Sequence, residues 1–145
     1  MAYLKFTADA IFTGTEMLQD NVVLITQEDG TVEAIVTAEE AGDGIQQSAG
    51  ILTPGFINAH CHTELSHMKG LIPEGTGLID FVFNIVAQRN FEESQIIDAI
   101  ELAEKEMLQN GIVAVGDICN TTHSIQQKTQ SKLNWYNFIE VSGWL

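Results

Sequence analysis

The chain has 145 residues, with 20 acidic against 6 basic side chains and a formal net charge of −14. That balance excludes a surface that reads nucleic-acid phosphates or docks on anionic membranes, since both need clustered Lys and Arg. The 45% hydrophobic content is enough for a core, and no apolar run reaches the roughly 18 residues of a membrane span.

The start MAYLKFTADA lacks the basic beginning and long apolar stretch of a secretory leader. The two cysteines, Cys61 and Cys119, form no CxxC pair and suggest no disulfide framework. A soluble, reduced, cytoplasmic protein is expected. In LKFTADAIF (4–12), Leu4, Phe6, Ala8, Ala10 and Phe12 alternate with mostly polar neighbours, the period of a half-buried strand. NVVLITQ (21–27) and TVEAIVT (31–37) are two more strand-like runs, joined across Asp29-Gly30, a strong tight-turn signal. Polar, glycine-containing residues 37–50 suggest a boundary.

ILTPGFINAH (51–60) reads as an apolar strand, with Pro54 near its start where a missing N–H is best tolerated. MKGLIPEGTG (68–77) is a loop. LIDFVFNIVAQR (78–89) spaces Ile79, Phe83 and Val86 for one helical face. Asn90 with Glu93 suggests a capping box. It would open a longer helix with Ile96, Ile97, Ile100, Ala103, Met107 and Leu108 as its stripe, stopped at Asn110-Gly111. IVAVGDIC (112–119) lacks polar alternation, as a strand buried on both faces should. Residues 121–132 are polar, a loop or short helix. NWYNFIEV (134–141) is a third strand, and the chain then stops at VSGWL. Strands alternating with helices favour a parallel sheet, hence α/β.

Chemistry concentrates in TPGFINAHCHTELSHMKG (53–70), which holds three of the four histidines. Residues i and i+2 of a strand share a face, so His60 and His62 project together with Cα atoms about 6.5 Å apart. Their imidazoles could converge on one metal ion, while Cys61 points the other way into packing. The pair ends its strand just before a loop, the edge where α/β folds build sites. A catalytic metal usually takes three protein ligands. Glu64, His67, Asp117, His123 and Glu140 are the candidates for a third. Glu64 and His67 read better as lining a substrate pocket. Asp117 and Glu140 lie at the ends of later strands, facing substrate or serving as caps or solvated charges. His123 reads as a solvated loop residue.

Other metal and nucleotide motifs are missing. HExxH fails because Thr63 follows His62, and the H-x-E of His62-Thr63-Glu64 has no P-C-x-x-C to complete a zinc deaminase signature. There is no second pair of zinc-finger ligands, no G-x-S-x-G elbow and no Gly-rich phosphate loop.

Gly50-Ile51-Leu52-Thr53 followed by PGFINAHCH resembles the PG[FL][IV][ND]xHxH strand of the amidohydrolase superfamily. Residues 1–50 resemble the small β-sandwich segment that precedes the barrel there. Asn110–Asp117 and Phe138–Val141 resemble its second and third strands, and HCHTELSHMKG is similar to the deaminase and chlorohydrolase branch. The resemblance implies part of a β-sandwich over 1–50 and, over 51–145, the first strands and helices of a (β/α)8 barrel, incomplete because a full barrel takes about 250 residues. It implies one divalent metal, Zn or Fe, with His60 and His62 as its first two ligands. The remaining ligands and an acid/base Glu would lie beyond Leu145. The implied reaction is attack of metal-activated water on an sp2 carbon, most simply deamination of a nucleobase-like or aminated heterocycle, or dechlorination. Alternatives are a two-metal cyclic amidase or dipeptidase-type amidohydrolase, and a non-catalytic fragment that only assembles with another chain. The expected partners are a small-molecule substrate and either a second copy or the complementing remainder of the barrel.

Overall fold

The structure is a computed structural model and describes residues 3–141. It divides into two compact units, Met1–Pro54 and Gly55–Leu145.

The first unit contains β1 (Tyr3–Thr7), β2 (Ala10–Phe12), β3 (Met17–Gln19), β4 (Val22–Gln27), β5 (Val32–Thr37), α1 (Ala38–Ala41), β6 (Ile45–Gln47) and β7 (Ile51–Leu52). They form two sheets, in the orders β5-β4-β1-β6 and β3-β2-β7. The expected single strand over 4–12 is two strands in different sheets. Asp fits poorly in a ladder, and Asp9 instead turns its carboxylate to accept the Gly50 N–H at 2.7 Å. The expected hairpin is present: β4 and β5 pair antiparallel, and Gly30 supplies the φ of 88° that the turn requires. Residues 37–50 fold into this unit instead of linking away from it. Thr37 and Glu40 cap α1 reciprocally, and β6 pairs parallel with β1. Val23 and Ile11 are the buried hydrophobic centre.

The expected strand over 51–60 is also divided. Pro54, which lacks an N–H for the ladder, separates β7 from β8 (Phe56–Cys61). Gly55 is required beside it, because a Cβ there would lie 2.2 Å from Val113 Cγ1. After β8 come a 3-10 helix (Thr63–Met68), α2 (Leu78–Gln88), α3 (Glu93–Gln109), β9 (Ile112–Cys119), α4 (Ile125–Gln130) and β10 (Asn134–Ile139). The three strands are parallel in the order β8-β9-β10. The second unit is therefore α/β, and its sheet is open among the described residues.

Helix α3 buries Ile96, Ile100 and the carboxylate of Glu104. Glu104 accepts from Gln127 and Ser131, tying α3 to α4 and the residue after it. The capping box expected at Asn90 does not form. Glu92 is the N-cap, and the residues on either side of Asn90 meet His67, Arg89 through its carbonyl oxygen and Phe91 through its ring at 4.8 Å. The expected face of α2 holds only in part. Val86 lines a cavity with Phe81, Val82 and Ile85, whereas Ile79 and Phe83 are 84% and 73% exposed. Asp80, Asn84 and Gln88 form one polar stripe, and the apolar side left over is wider than the face that lines the cavity. Asn110-Gly111 stops α3 as expected, with Gly111 at a φ of 75°. The expected strand over 134–141 ends at Ile139, and the abrupt stop at VSGWL falls on residues 142–145, outside the described residues. No helix among the described residues is long and apolar enough to cross a membrane.

Candidate metal centre

Strand β8 and the residue after it carry His60 and His62. Their ring centroids are 5.3 Å apart and inclined at 64°, as the strand period requires of side chains on one face. Neither ring makes a hydrogen bond among the described residues. Cys61, between them, is half-buried and lies opposite Asp117 in the ladder. Its Sγ is 3.4 Å from Thr63 Oγ1, and burial pushes its thiol above the ordinary 9.0.

Both rings line a cavity of about 760 Å³. One wall is apolar, from Phe81, Val82 and Ile85 of α2, and a polar side carries Arg89, Asn120 and Glu140. Arg89 Nη2 donates to Asn120 Oδ1 at 2.8 Å and to Glu64 Oε1 at 3.4 Å. Asn120 Nδ2 in turn donates to Glu140 Oε2 at 3.3 Å. Of the residues singled out from sequence, Glu140 thus joins the two histidines at the cavity.

Glu64, His67 and Asp117 stand behind it. Glu64 is 2% exposed, and its Oε2 accepts from the backbone N–H groups of Asn120 and Thr121 and from the Thr121 hydroxyl, at 2.7–3.0 Å. Asp117 has no exposure. Its Oδ1 accepts from Thr63 N–H and Oγ1–H at 2.8 and 2.9 Å, and its Oδ2 from Lys128. His67 Nε2 lies 3.1 Å from the Arg89 carbonyl oxygen, and its buried Nδ1 has no partner among the described residues. His123 is half-buried in the loop before α4 and does not line the cavity.

Arg89, Asn120, Thr63 and Lys128 escaped the sequence reading. Arg89 carried one signal, as the only arginine in the chain. The others carried none.

The donor set suits part of a metal site. Two imidazoles free of other partners match what zinc or iron takes from protein. No group of three or more His, Cys, Asp or Glu side chains is arranged to hold a metal among the described residues.

No family model matches the chain. Curated relatives do. The 5-methylthioadenosine/S-adenosylhomocysteine deaminase of Natronomonas pharaonis is 29% identical over 122 residues, covering 81% of this chain and 28% of that protein. The aminodeoxyfutalosine deaminase of Nitratiruptor sp. is 28% identical over 142 residues, covering 92% of this chain and 34% of that protein. The chain is related to the amidohydrolase deaminases. It spans about a third of the length of these relatives. The crystal structure of Helicobacter pylori aminofutalosine deaminase in complex with methylthio-coformycin shares the fold, with a TM-score of 0.76 at 24% identity over 97% of this chain and 36% of that one. So does an atrazine chlorohydrolase from Arthrobacter aurescens complexed with zinc, with a TM-score of 0.66 at 16% identity over 94% of this chain and 35% of that one.

Proposed function

We propose that the chain carries the first two ligands of a divalent-metal site, Zn or Fe, in a hydrolase that deaminates a nucleobase-like or aminated heterocycle, or removes a halide from one. The observation that carries this is the His60–His62 pair, 5.3 Å apart at the edge of a cavity of about 760 Å³. The deaminase relatives and the zinc-containing chlorohydrolase of the same fold support it.

When bound, the cation supplies a water that ionises near neutral pH. His60 and His62 would hold the cation through ring nitrogens. Phe81, Val82 and Ile85 offer a flat ring an apolar wall. Arg89 donates to Asn120, and Asn120 donates to Glu140, a polar chain along the cavity that can orient a heterocycle by its polar edge. Glu64, His67 and Asp117 hold the parts that do this in place. Two free cysteines fit a reducing cytoplasm.

The test is cobalt(II) or zinc titration of the purified protein and of a His60→Ala/His62→Ala variant. The variant should bind the ion at least about tenfold more weakly. Equal binding by the two proteins would remove the metal reading. Release of ammonia from aminated purine nucleosides, lost in the same variant, would extend it to deamination.

A further inference from the structure

The two buried carboxylates behind the cavity form a reciprocal brace. Asp117 lies two residues before the end of β9, and its Oδ1 takes both the N–H and the hydroxyl of Thr63, the residue directly after His62. Glu64, the next residue, takes two backbone N–H groups and a hydroxyl from Asn120 and Thr121, the residues directly after β9. Each strand's exit is thus held by a carboxylate from the other's.

The brace is dry. Asp117 and Thr63 have no exposure and Glu64 has 2%. Lys128 balances Asp117 with a side chain only 9% exposed, and the Lys128 ammonium is itself fixed by Asn137 Oδ1 at 2.7 Å and lies 5.2 Å from the Trp135 ring. Buried polar groups fully satisfied in this way have one low-energy arrangement. Here that arrangement sets the backbone on the C-terminal side of His62. It does so at the point where β8 leaves the ladder and turns into the 3-10 helix, with His62 itself as N-cap and no side-chain cap to hold the turn. His60 lies one residue inside the end of β8, away from that turn.

We propose that Asp117, balanced by Lys128 and acting through Thr63, is a positioning residue for His62, and that Glu64 completes the brace by holding Asn120 at the cavity. The metal-affinity part of this rests on the proposed function; the placement of His62 does not.

Two variants keep the volume of the brace. Thr63→Val removes one hydrogen bond to Asp117, and Thr63→Ser restores it. Asp117→Asn combined with Lys128→Met removes both charges together, so no uncompensated ion is buried. Thermal melts by circular dichroism establish that each is folded. Two readouts follow: cobalt(II) affinity, and the ring nitrogen and carbon-bound proton resonances of His60, His62 and His123. The expected result is about a 10- to 100-fold loss of cobalt affinity in Thr63→Val and in the double variant, with rescue by Thr63→Ser. The His62 resonances should shift or broaden while those of His123 stay in place. Folded variants with wild-type cobalt affinity and unmoved His62 resonances would make the brace merely structural and overturn the proposal. If the wild-type protein and its His60→Ala/His62→Ala variant bind cobalt equally poorly, the metal reading fails alone. The His62 resonances then still decide whether the brace positions that ring.

Discussion

Glu40 shows how a single side chain can make folding depend on pH. Its Oε2 accepts the Thr37 N–H at 3.0 Å and the Thr37 hydroxyl at 2.8 Å. These bonds, the backbone one first, hold its carboxyl below the ordinary 4.5. The folded value is depressed, so the stabilisation is complete above the unfolded value and is lost as pH falls through the folded one. Replacing Thr37 by Ala should return Glu40 toward 4.5 and lower stability at neutral pH by removing the N-cap of α1. An NMR titration of Glu40 in both proteins, with urea unfolding at pH 7 and pH 3, measures both effects, and the difference in stability should shrink at the lower pH. The sequence reading passed over this pair, although Thr37-x-x-Glu40 lies within one turn. The His60–His62 pair was legible from its spacing of two on a strand. The bonds by which Glu64 and Asp117 tie the end of β8 to the end of β9 were not, because they join residues 54–57 apart in the chain. No local pattern reports which loops a parallel crossover brings together.

At the scale of elements, periodicity located β9 and the end of α3, where Gly111 and buried apolar runs leave one choice. It failed where the apolar side of an element is wider than the face it buries, as in α2, or where a strand bends without changing its alternation, as at Asp9. Gly116 is a further case, since the reason for it is a neighbour. A Cβ on Gly116 would lie 2.8 Å from the Ala59 carbonyl oxygen and 3.4 Å from Phe138. The β8–β9 ladder already shifts register between Asn58 and Cys61, so the two backbones approach closely beside His60 and only glycine fits. Gly116→Ala must push β8 away from β9, an overpacking cost of about 1–3 kcal/mol. Urea unfolding should read that loss. A stability unchanged within error would show that β8 can yield there.

For the whole molecule, the α/β class followed from the order of strands and helices, while closure into a barrel depends on strand pairings beyond the three described. Those three leave β8 and β10 each with one side unpaired among the described residues. They also leave large apolar side chains in water: Ile57 and Tyr136 are 69% exposed and Ile79 is 84% exposed. Patches of this kind favour association. The charge of −14 opposes it, because like-charged molecules repel over the Debye length, about 30 Å at 0.01 M salt and about 3 Å at 1 M. The isolated polypeptide of residues 1–145 should therefore bind a hydrophobic dye such as ANS, stay small at low ionic strength and associate as salt is raised. Light scattering coupled to size exclusion, run at several salt concentrations, reads the mass directly. Charge substitutions on the exposed face of α2, such as Ile79→Glu with Phe83→Glu, should lower both dye binding and association. They should leave stability within about 0.5 kcal/mol, as surface changes usually do. A polypeptide that stays monomeric and dye-free at every salt concentration would mean that these faces are covered by contacts within the chain itself.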